Sequence, residues 1–460
     1  MAEKVLLVGL GSTARADCLA DAIAKSAGAE LYAYLSHNNP GVLAKAKKVQ
    51  VGRLEDLAAL AKFAKETGAS IAVMSPEAAL AVGAVDALEE MGVACFGPSK
   101  SLARLETSKS FTRGLMQKYG IEGNPEHKSF DSESGLRDYL LSMNSFVIKP
   151  DGLSGGKGVK LLGEHLKGID DSMEYCREIL ASGGRVIVEE KLEGEEFSLQ
   201  FITDGKTVVP CPAVQDHKRA YEGDVGQNTG GMGSYSAANG LLPFVSKEDV
   251  ADAKEITERL AAALYNETGQ YYKGVMYGGF MVTASGVKLI EYNARFGDPE
   301  IMNVLPLLEN DFVEVCRAVA SQKLSTLKLS FAPMASVCKY AVPQGYPENP
   351  KKNGSTIDLA ALEAFSKANS GVKYYLGSVE STAQKNVYSM GTSRAVACVG
   401  FASTIEAAEK LAEEAVCKIA GPVRHRKDIG TNALVQKRVA HVNSLKNGNG
   451  KAKRNSVSEE

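Results

Sequence analysis

The segment KLIEYNARFGDPE, Lys288 to Glu300, carries a carboxylate, a carboxamide and a guanidinium at alternate positions. If it is a strand, Glu291, Asn293 and Arg295 share one face. A carboxylate and an amide oxygen two residues apart suit Mg²⁺, a hard cation that takes oxygen ligands and leaves much of its shell to substrate phosphates. Arg295 on that face would grip a carboxylate or an acyl phosphate through paired hydrogen bonds. A second segment, VIKPDGLSGGKGV, runs from Val147 into a turn containing Gly152, Gly155, Gly156 and Gly158 beside Lys149 and Lys157. Glycines let backbone N–H groups approach and point at an anion, and the lysines add charge, so this is a phosphate-cradling loop. It is not a GxxxxGK[ST] loop, because Gly158 follows Lys157.

Two further stretches carry charge in a suggestive order. VIVEEKLEGEEFSLQ, Val186 to Gln200, ends an apolar strand signal on Glu189-Glu190 and opens another after Glu195-Glu196. Such pairs would hold a ribose or a metal, or merely form a solvated face. PAVQDHKRAYEGDVGQNTGGMGSY, Pro212 to Tyr235, sets Asp216, His217, Lys218 and Arg219 side by side and places Asn228, Gly230 and Gly231 in its NTGGMG core. A loop of this length is either a functional lid or disorder, and its two tyrosines and glycine core favour the lid. His217 stands alone in it, as a direct participant or as a bystander.

The elements that must position these residues differ along the chain. Residues 1–102 alternate strand and helix signals: strands at Lys4–Val8, Leu31–Leu35, Ile71–Met74 and Val93–Phe96, helices over 17–27, 54–67 and 78–90. That order implies a Rossmann-like parallel sheet with right-handed crossovers. Residues 103–325 read as mixed α+β, with a long helix over 249–265 and a hairpin over 275–294 turning at Ser285-Gly286. Residues 326–440 repeat strand and helix signals as a small C-terminal α/β domain, and 441–460 read as a polar, disordered tail.

A chain of 460 residues exceeds one compact domain. A net charge of -2 provides no global field to recruit nucleic acid or a membrane surface. No apolar run approaches the ~20 residues of a membrane span, and the N-terminus lacks a signal-peptide pattern. The eight cysteines include no CxxC pair, so they read as reduced thiols of a cytoplasmic protein.

Longer motifs sharpen the reading. RLETSKSF, KPDGLSGGKGV, EEKLEGEEFSLQ, VQDHKRAYEGDVGQNTGGMGSY and EYNARFGDPE occur in that order, followed by VRHRKDIG at 423–430. Together they resemble the phosphoribosylamine–glycine ligase family of the ATP-grasp superfamily, over about residues 1–430. The resemblance implies an N-domain, an ATP-grasp core of two lobes and a C-domain. It implies that ATP phosphorylates glycine and that the amine of 5-phosphoribosylamine attacks the resulting glycyl phosphate, in de novo purine synthesis. On that resemblance Lys109, Lys149, Gly155, Gly156 and Lys157 meet the ATP phosphates. Glu189, Glu190 and Leu192 meet adenine, and Glu196 the ribose. Glu291 and Asn293 hold Mg²⁺ or Mn²⁺. Arg295, Asp216 and Lys218 act in catalysis. Arg15, Asn228, Gly230, Gly231, Arg295 and Asp298 bind substrate, with Arg15 on the 5-phosphate. The resemblance also implies small-molecule partners only, glycine and 5-phosphoribosylamine, in a monomer or weak homodimer. The turn GSTARADCLA, Gly11 to Ala20, keeps Arg15 but has Thr13 for a usual glycine and Ala16-Asp17 for a usual Glu-His.

Overall fold

The computed structural model describes residues 2–153, 158–350 and 355–456, with side chains up to residue 447. Five parallel strands, β1 (Glu3–Gly9), β2 (Ala29–Leu35), β3 (Lys48–Val51), β4 (Ile71–Met74) and β5 (Ala94–Phe96), form the N-terminal sheet in the order β3-β2-β1-β4-β5. Val5 to Val8 of the central β1 are fully buried, as a strand covered by helices on both faces requires. The chain reverses direction of winding between β1 and β4, so the carboxyl ends of these two strands open a crevice. Helix α1 (Ala14–Lys25) starts on one side of it. The helix expected over 78–90 is instead two, Glu77–Val82 and Ala84–Glu89, broken at Gly83 with φ +93°. The first of them starts on the other side of the crevice with Glu77.

The central part has two lobes. The smaller is an antiparallel sheet in the order His127–Phe130, Val186–Glu190, Phe146–Pro150, Lys160–Leu161, covered by the helices Leu136–Ser142 and Ile169–Ala181. It has its own apolar core, including Phe130, Leu140, Phe146, Met173 and Val188. The larger lobe is the antiparallel sheet Val208–Pro210, Gly194–Thr203, Gly274–Thr283, Gly286–Asn293. The helix Lys247–Thr268 packs on its last two strands and is closed at its start by a Ser246/Asp249 capping box. The expected hairpin turn at Ser285-Gly286 is present.

The C-terminal sheet runs Gln215–Asp216, Gly233–Ser236, Ala335–Pro343, Val396–Ala402, Val372–Leu376, with Val423–Arg424 also on Ala335–Pro343. Its first two strands come from the Pro212–Tyr235 segment, so both ends of that loop are tied to the C-terminal sheet. The helix Ile405–Cys417 lies against this sheet. A last helix runs Asn432–Ser456 and enters the segment expected to be a disordered tail. Leu434, Val435 and Val442 are buried on it, and Lys446 reaches Asp249 at 3.4 Å. This apolar edge, embedded in a polar sequence, anchors the helix where composition alone predicts disorder. No described helix is long and apolar enough to cross a membrane.

Candidate active site

A cleft of about 1190 Å³ lies where the N-terminal sheet, both central lobes and the C-terminal sheet meet. Arg15 and Glu77 line it from the crevice, Lys109 from the start of the helix Lys109–Lys118, Lys149 and Glu189 from the small lobe, and Glu291 and Asn293 from the large lobe. Asp216, Lys218, Asn228 and Gly230 enter from the Pro212–Tyr235 loop, and Arg394 from the C-terminal domain.

Glu291 and Asn293 lie two apart on the strand Gly286–Asn293, as expected for residues sharing a face. Gly279 sits opposite Glu291 in the paired strand, so no side chain covers the carboxylate from there. Burial would raise the Glu291 carboxyl, but Lys218, Lys149, Lys109 and Arg295 outweigh it and hold the group below its ordinary value. An ionised carboxylate and a carboxamide at the mouth of a lysine-lined cleft fit a hard divalent cation with phosphates in its shell.

Lys149 and Glu189 are brought together by register. Val147 pairs with Glu189 and Lys149 with Ile187, so the two side chains are diagonal neighbours on one face. Lys149 Nζ donates to Glu189 Oε2 at 2.7 Å, and Arg113 grips both oxygens of Glu189 at 2.8 and 3.0 Å. The Glu189 side chain therefore orients Lys149. Glu190 is spent on the small lobe, where its carboxylate accepts from the backbone N–H of Glu126 at 2.9 Å. Leu192 is half-buried in the connection to the large lobe. Lys109 Nζ donates to the Gly152 carbonyl at 2.8 Å, at the entry to the glycine loop. Gly155, Gly156 and Lys157 lie outside the described residues.

Arg295 follows the strand and is not a free grip. Its Nε meets Glu77 at 3.2 Å and its Nη2 meets Glu106 at 3.0 Å. Arg15 is buried. Its Nη1 donates to the Phe296 carbonyl at 2.8 Å, its Nη2 lies 3.6 Å from Glu77, and its Nε has no partner among the described residues. Burial would raise Glu77, but Arg295 and Arg15 hold it at about 2. The start of α1 is occupied from within. Thr13 Oγ1 donates to the Leu10 carbonyl at 2.8 Å, and the Arg15 N–H donates to Asp298 Oδ2 at 3.3 Å. The Thr13 hydroxyl proton is thus already engaged. Asp17, in place of the family's histidine, accepts from Lys45 Nζ at 2.6 Å and from the Leu376 N–H at 2.8 Å, tying α1 to the C-terminal sheet.

The Pro212–Tyr235 loop is ordered by the C-terminal domain. Arg394 donates to the carbonyls of Gly230 and Gly231 at 2.8 and 2.9 Å and pairs with Asp298 Oδ1 at 3.1 Å. Tyr340 donates to the same Asp298 oxygen at 2.6 Å. Gly231 has φ +109°, and a Cβ there would lie 2.5 Å from Asp216 Oδ1, so only glycine lets the loop close on Asp216. Burial, then Glu300, pushes the Asp216 carboxyl well above its ordinary range. Lys218 lies 3.3 Å from Glu196, and that contact above all raises its ammonium. Asn228 ends the strand Val225–Asn228 at the cleft wall. His217 is buried with its ring against Tyr235, centroids 5.8 Å apart. Burial, then Arg426, lowers its imidazole to about 3, so it is neutral at pH 7.

The sequence reading missed Glu77, Glu106, Arg113, Tyr340 and Arg394. Glu77, Glu106 and Arg113 stand on helices, Tyr340 on a strand and Arg394 in the loop before Val396–Ala402, and only its long-range partner reveals each. The VRHRKDIG motif was a usable signal: Arg426 pairs with Asp224 at 3.1 Å and so holds the hairpin that carries Asn228.

Comparison with known proteins agrees with this geometry. The phosphoribosylglycinamide synthetase N domain matches residues 3–106, its ATP-grasp (A) domain 107–301 and its C domain 336–432. The chain is 45% identical over 444 residues to phosphoribosylamine–glycine ligase of Methanosarcina barkeri, covering 96% of this chain and 100% of the relative. It is 46% identical over 449 residues to the enzyme of that name from Methanobrevibacter smithii, covering 96% and 100%. The crystal structure of phosphoribosylamine–glycine ligase from Thermotoga maritima superposes with TM-score 0.76 at 27% identity, covering 93% of this chain and 100% of the other. The chain therefore belongs to the phosphoribosylamine–glycine ligase family, with an ATP-grasp core.

Proposed function

We propose that the protein joins glycine to 5-phosphoribosylamine, converting ATP to ADP and phosphate and forming glycinamide ribonucleotide. The observation that carries this reading is the convergence of Lys109, Lys149 and Lys218 on the Glu291/Asn293 pair in one cleft. Phosphoryl transfer needs charge neutralisation and positioning more than covalent help. Glu291 and Asn293 would hold Mg²⁺, or Mn²⁺ on the same oxygens, which supplies charge neutralisation at the transferring phosphoryl group. Lys149, oriented by Glu189, and Lys109, at the mouth of the glycine loop, bind the nucleotide phosphates. Gly155, Gly156 and Lys157 complete that cradle, and the connection from Glu189 through Leu192 to Glu196 faces the nucleoside. The reading divides the chain into an N-domain at 1–102, an ATP-grasp domain at 103–325 and a C-domain at 326–440.

Glycine's carboxylate takes the γ-phosphoryl group, giving glycyl phosphate. The amine of 5-phosphoribosylamine then attacks the carbonyl carbon. A C–N bond forms, the C–O bond to phosphate breaks, and the nitrogen must release a proton. Asp216 suits that proton, because its raised carboxyl is a stronger base than an ordinary carboxylate. Lys218, held protonated beside Glu196, offsets the charge on the departing phosphate. Arg295, backed by Glu77 and Glu106, presents a fixed positive charge toward the glycine carboxylate. The Asn228–Gly231 turn, held by Arg394, excludes water from the acyl phosphate. Arg15 contributes charge for the 5-phosphate.

Glycine labelled with ¹⁸O in its carboxylate tests the sequence of steps. One labelled oxygen is expected in the released phosphate. Label kept wholly in the amide product excludes glycyl phosphate and with it this mechanism.

A further inference from the structure

A cluster in the C-terminal domain takes no part in the chemistry above. Glu413 and Cys417 stand one turn apart on the helix Ile405–Cys417, and His425 follows the short strand Val423–Arg424. His425 Nε2 lies 3.0 and 3.1 Å from the two oxygens of Glu413, and Cys417 Sγ lies 3.7 Å from Glu413 Oε1. The three donor atoms, one each of nitrogen, oxygen and sulfur, fall within 4.8 Å of one another. Zn²⁺ bonds nitrogen and oxygen at about 2.0 Å and sulfur at about 2.3 Å, so a tetrahedral ion spaces its donors about 3.3–3.6 Å apart. Both distances to Glu413 are already close to that spacing.

The surroundings favour such an ion. Lys339, fully buried, donates to Glu413 Oε2 at 2.7 Å, to Glu409 at 2.6 Å and to the Lys427 carbonyl at 2.8 Å. This lysine fixes the carboxylate and turns Oε1 toward Cys417, as outer partners of metal ligands do. Half-buried Glu413 and His425 and exposed Cys417 leave a fourth position open to water. None of the three lines the catalytic cleft.

We propose that Glu413, Cys417 and His425 bind one Zn²⁺ ion, with water as the fourth ligand. The thiol loses its proton to solvent as the S–Zn bond forms. A thiolate and an imidazole select a borderline-soft transition metal over Mg²⁺, so this site is chemically distinct from Glu291 and Asn293. The ion would clip the end of the helix to the segment that carries Arg426 and Asp428. Those residues form a pair at 2.7 Å, and Arg426 also holds Asp224 at 3.1 Å, so the clip would steady the hairpin beside the cleft.

Cobalt(II) titrated into the full chain in excess Mg²⁺ tests the proposal. One equivalent should bind, with a thiolate-to-cobalt absorption band that Zn²⁺ displaces. Cys417 is the one exposed cysteine of the eight, so the band reports on it. Cys417→Ser should lose the band and keep full ligase activity in Mg²⁺, which also shows that the variant is folded. His425→Gln should weaken cobalt binding by about tenfold or more. No thiolate band in the unaltered chain, a band retained in Cys417→Ser, or unchanged affinity in His425→Gln overturns the site.

Discussion

The Lys149 ammonium lies 2.7 Å from Glu189 Oε2 across two antiparallel strands, and the same carboxylate is gripped by Arg113. The carboxylate is thus shared between a buried lysine and a buried arginine, both on the cleft wall. Arg113 also donates to the carbonyls of Leu289 and Ile290 at 3.1 and 2.6 Å, beside Glu291. One buried triad therefore ties the strand that carries Lys149 to the strand that carries Glu291, across two different lobes.

Glu189→Gln should destabilise the protein by about 3–5 kcal/mol at pH 7, the range for breaking a buried ion pair. Burial would raise this carboxyl, but Arg113 and Lys149 hold it at about 2. The folded value lies below the unfolded one of about 4.3, so the contribution is complete above that pH and is lost as pH falls toward 2. Urea unfolding of both proteins should show their difference shrinking over that window. A difference that stays constant from pH 7 to pH 2 contradicts the ionised triad.

Glu291→Gln should abolish Mg²⁺-dependent turnover while circular dichroism remains that of the unaltered protein. The substitution keeps the shape and removes a metal ligand. Near-normal turnover at ordinary Mg²⁺ concentrations would remove Glu291 from the metal site.

Arg15→Ala should raise the KM for 5-phosphoribosylamine by about tenfold or more, since a charged hydrogen bond contributes about 1.5–3 kcal/mol. The KM values for ATP and glycine should barely change. The Arg15 guanidinium is held by Phe296 and Glu77, so its position is set before substrate arrives. Equal losses for all three substrates would mean that the crevice had collapsed, and no loss would move the phosphate site elsewhere.

Asp216→Asn should lower kcat and remove the acid limb of its pH profile. A base must be ionised to work, so kcat of the unaltered enzyme should rise with pH through a value above the ordinary carboxylate range. Burial and Glu300 raise that value. An acid limb that persists in Asp216→Asn assigns the proton to another group.

Periodicity and spacing determined a good deal. The continuous apolar run at Val5–Val8 is a central parallel strand, and alternation past a bulge at Ile290 sets Glu291 and Asn293 on one face. Lys149 and Glu189 each stand on a strand read from the sequence, because neighbours along a strand decide its pleat. The same local evidence could not show what surrounds Arg15, Arg295 and the first residues after 440. Arg15 stands in the first turn of its helix, and Phe296, 281 positions away, accepts from it. Arg295 looked free to grip a ligand, but Glu77 and Glu106 from two other elements claim it. The tail looked disordered from its polar composition, yet His441 reaches Glu195 at 2.7 Å and Val442 is buried. Arg394 had no signal at all until the C-terminal sheet took up the strands Gln215–Asp216 and Gly233–Ser236 and placed Gly230, Gly231 and Asp298 within its reach. A side chain's spacing says which face it occupies. What stands opposite that face depends on how distant elements pack, and there burial and charge pairing are decided.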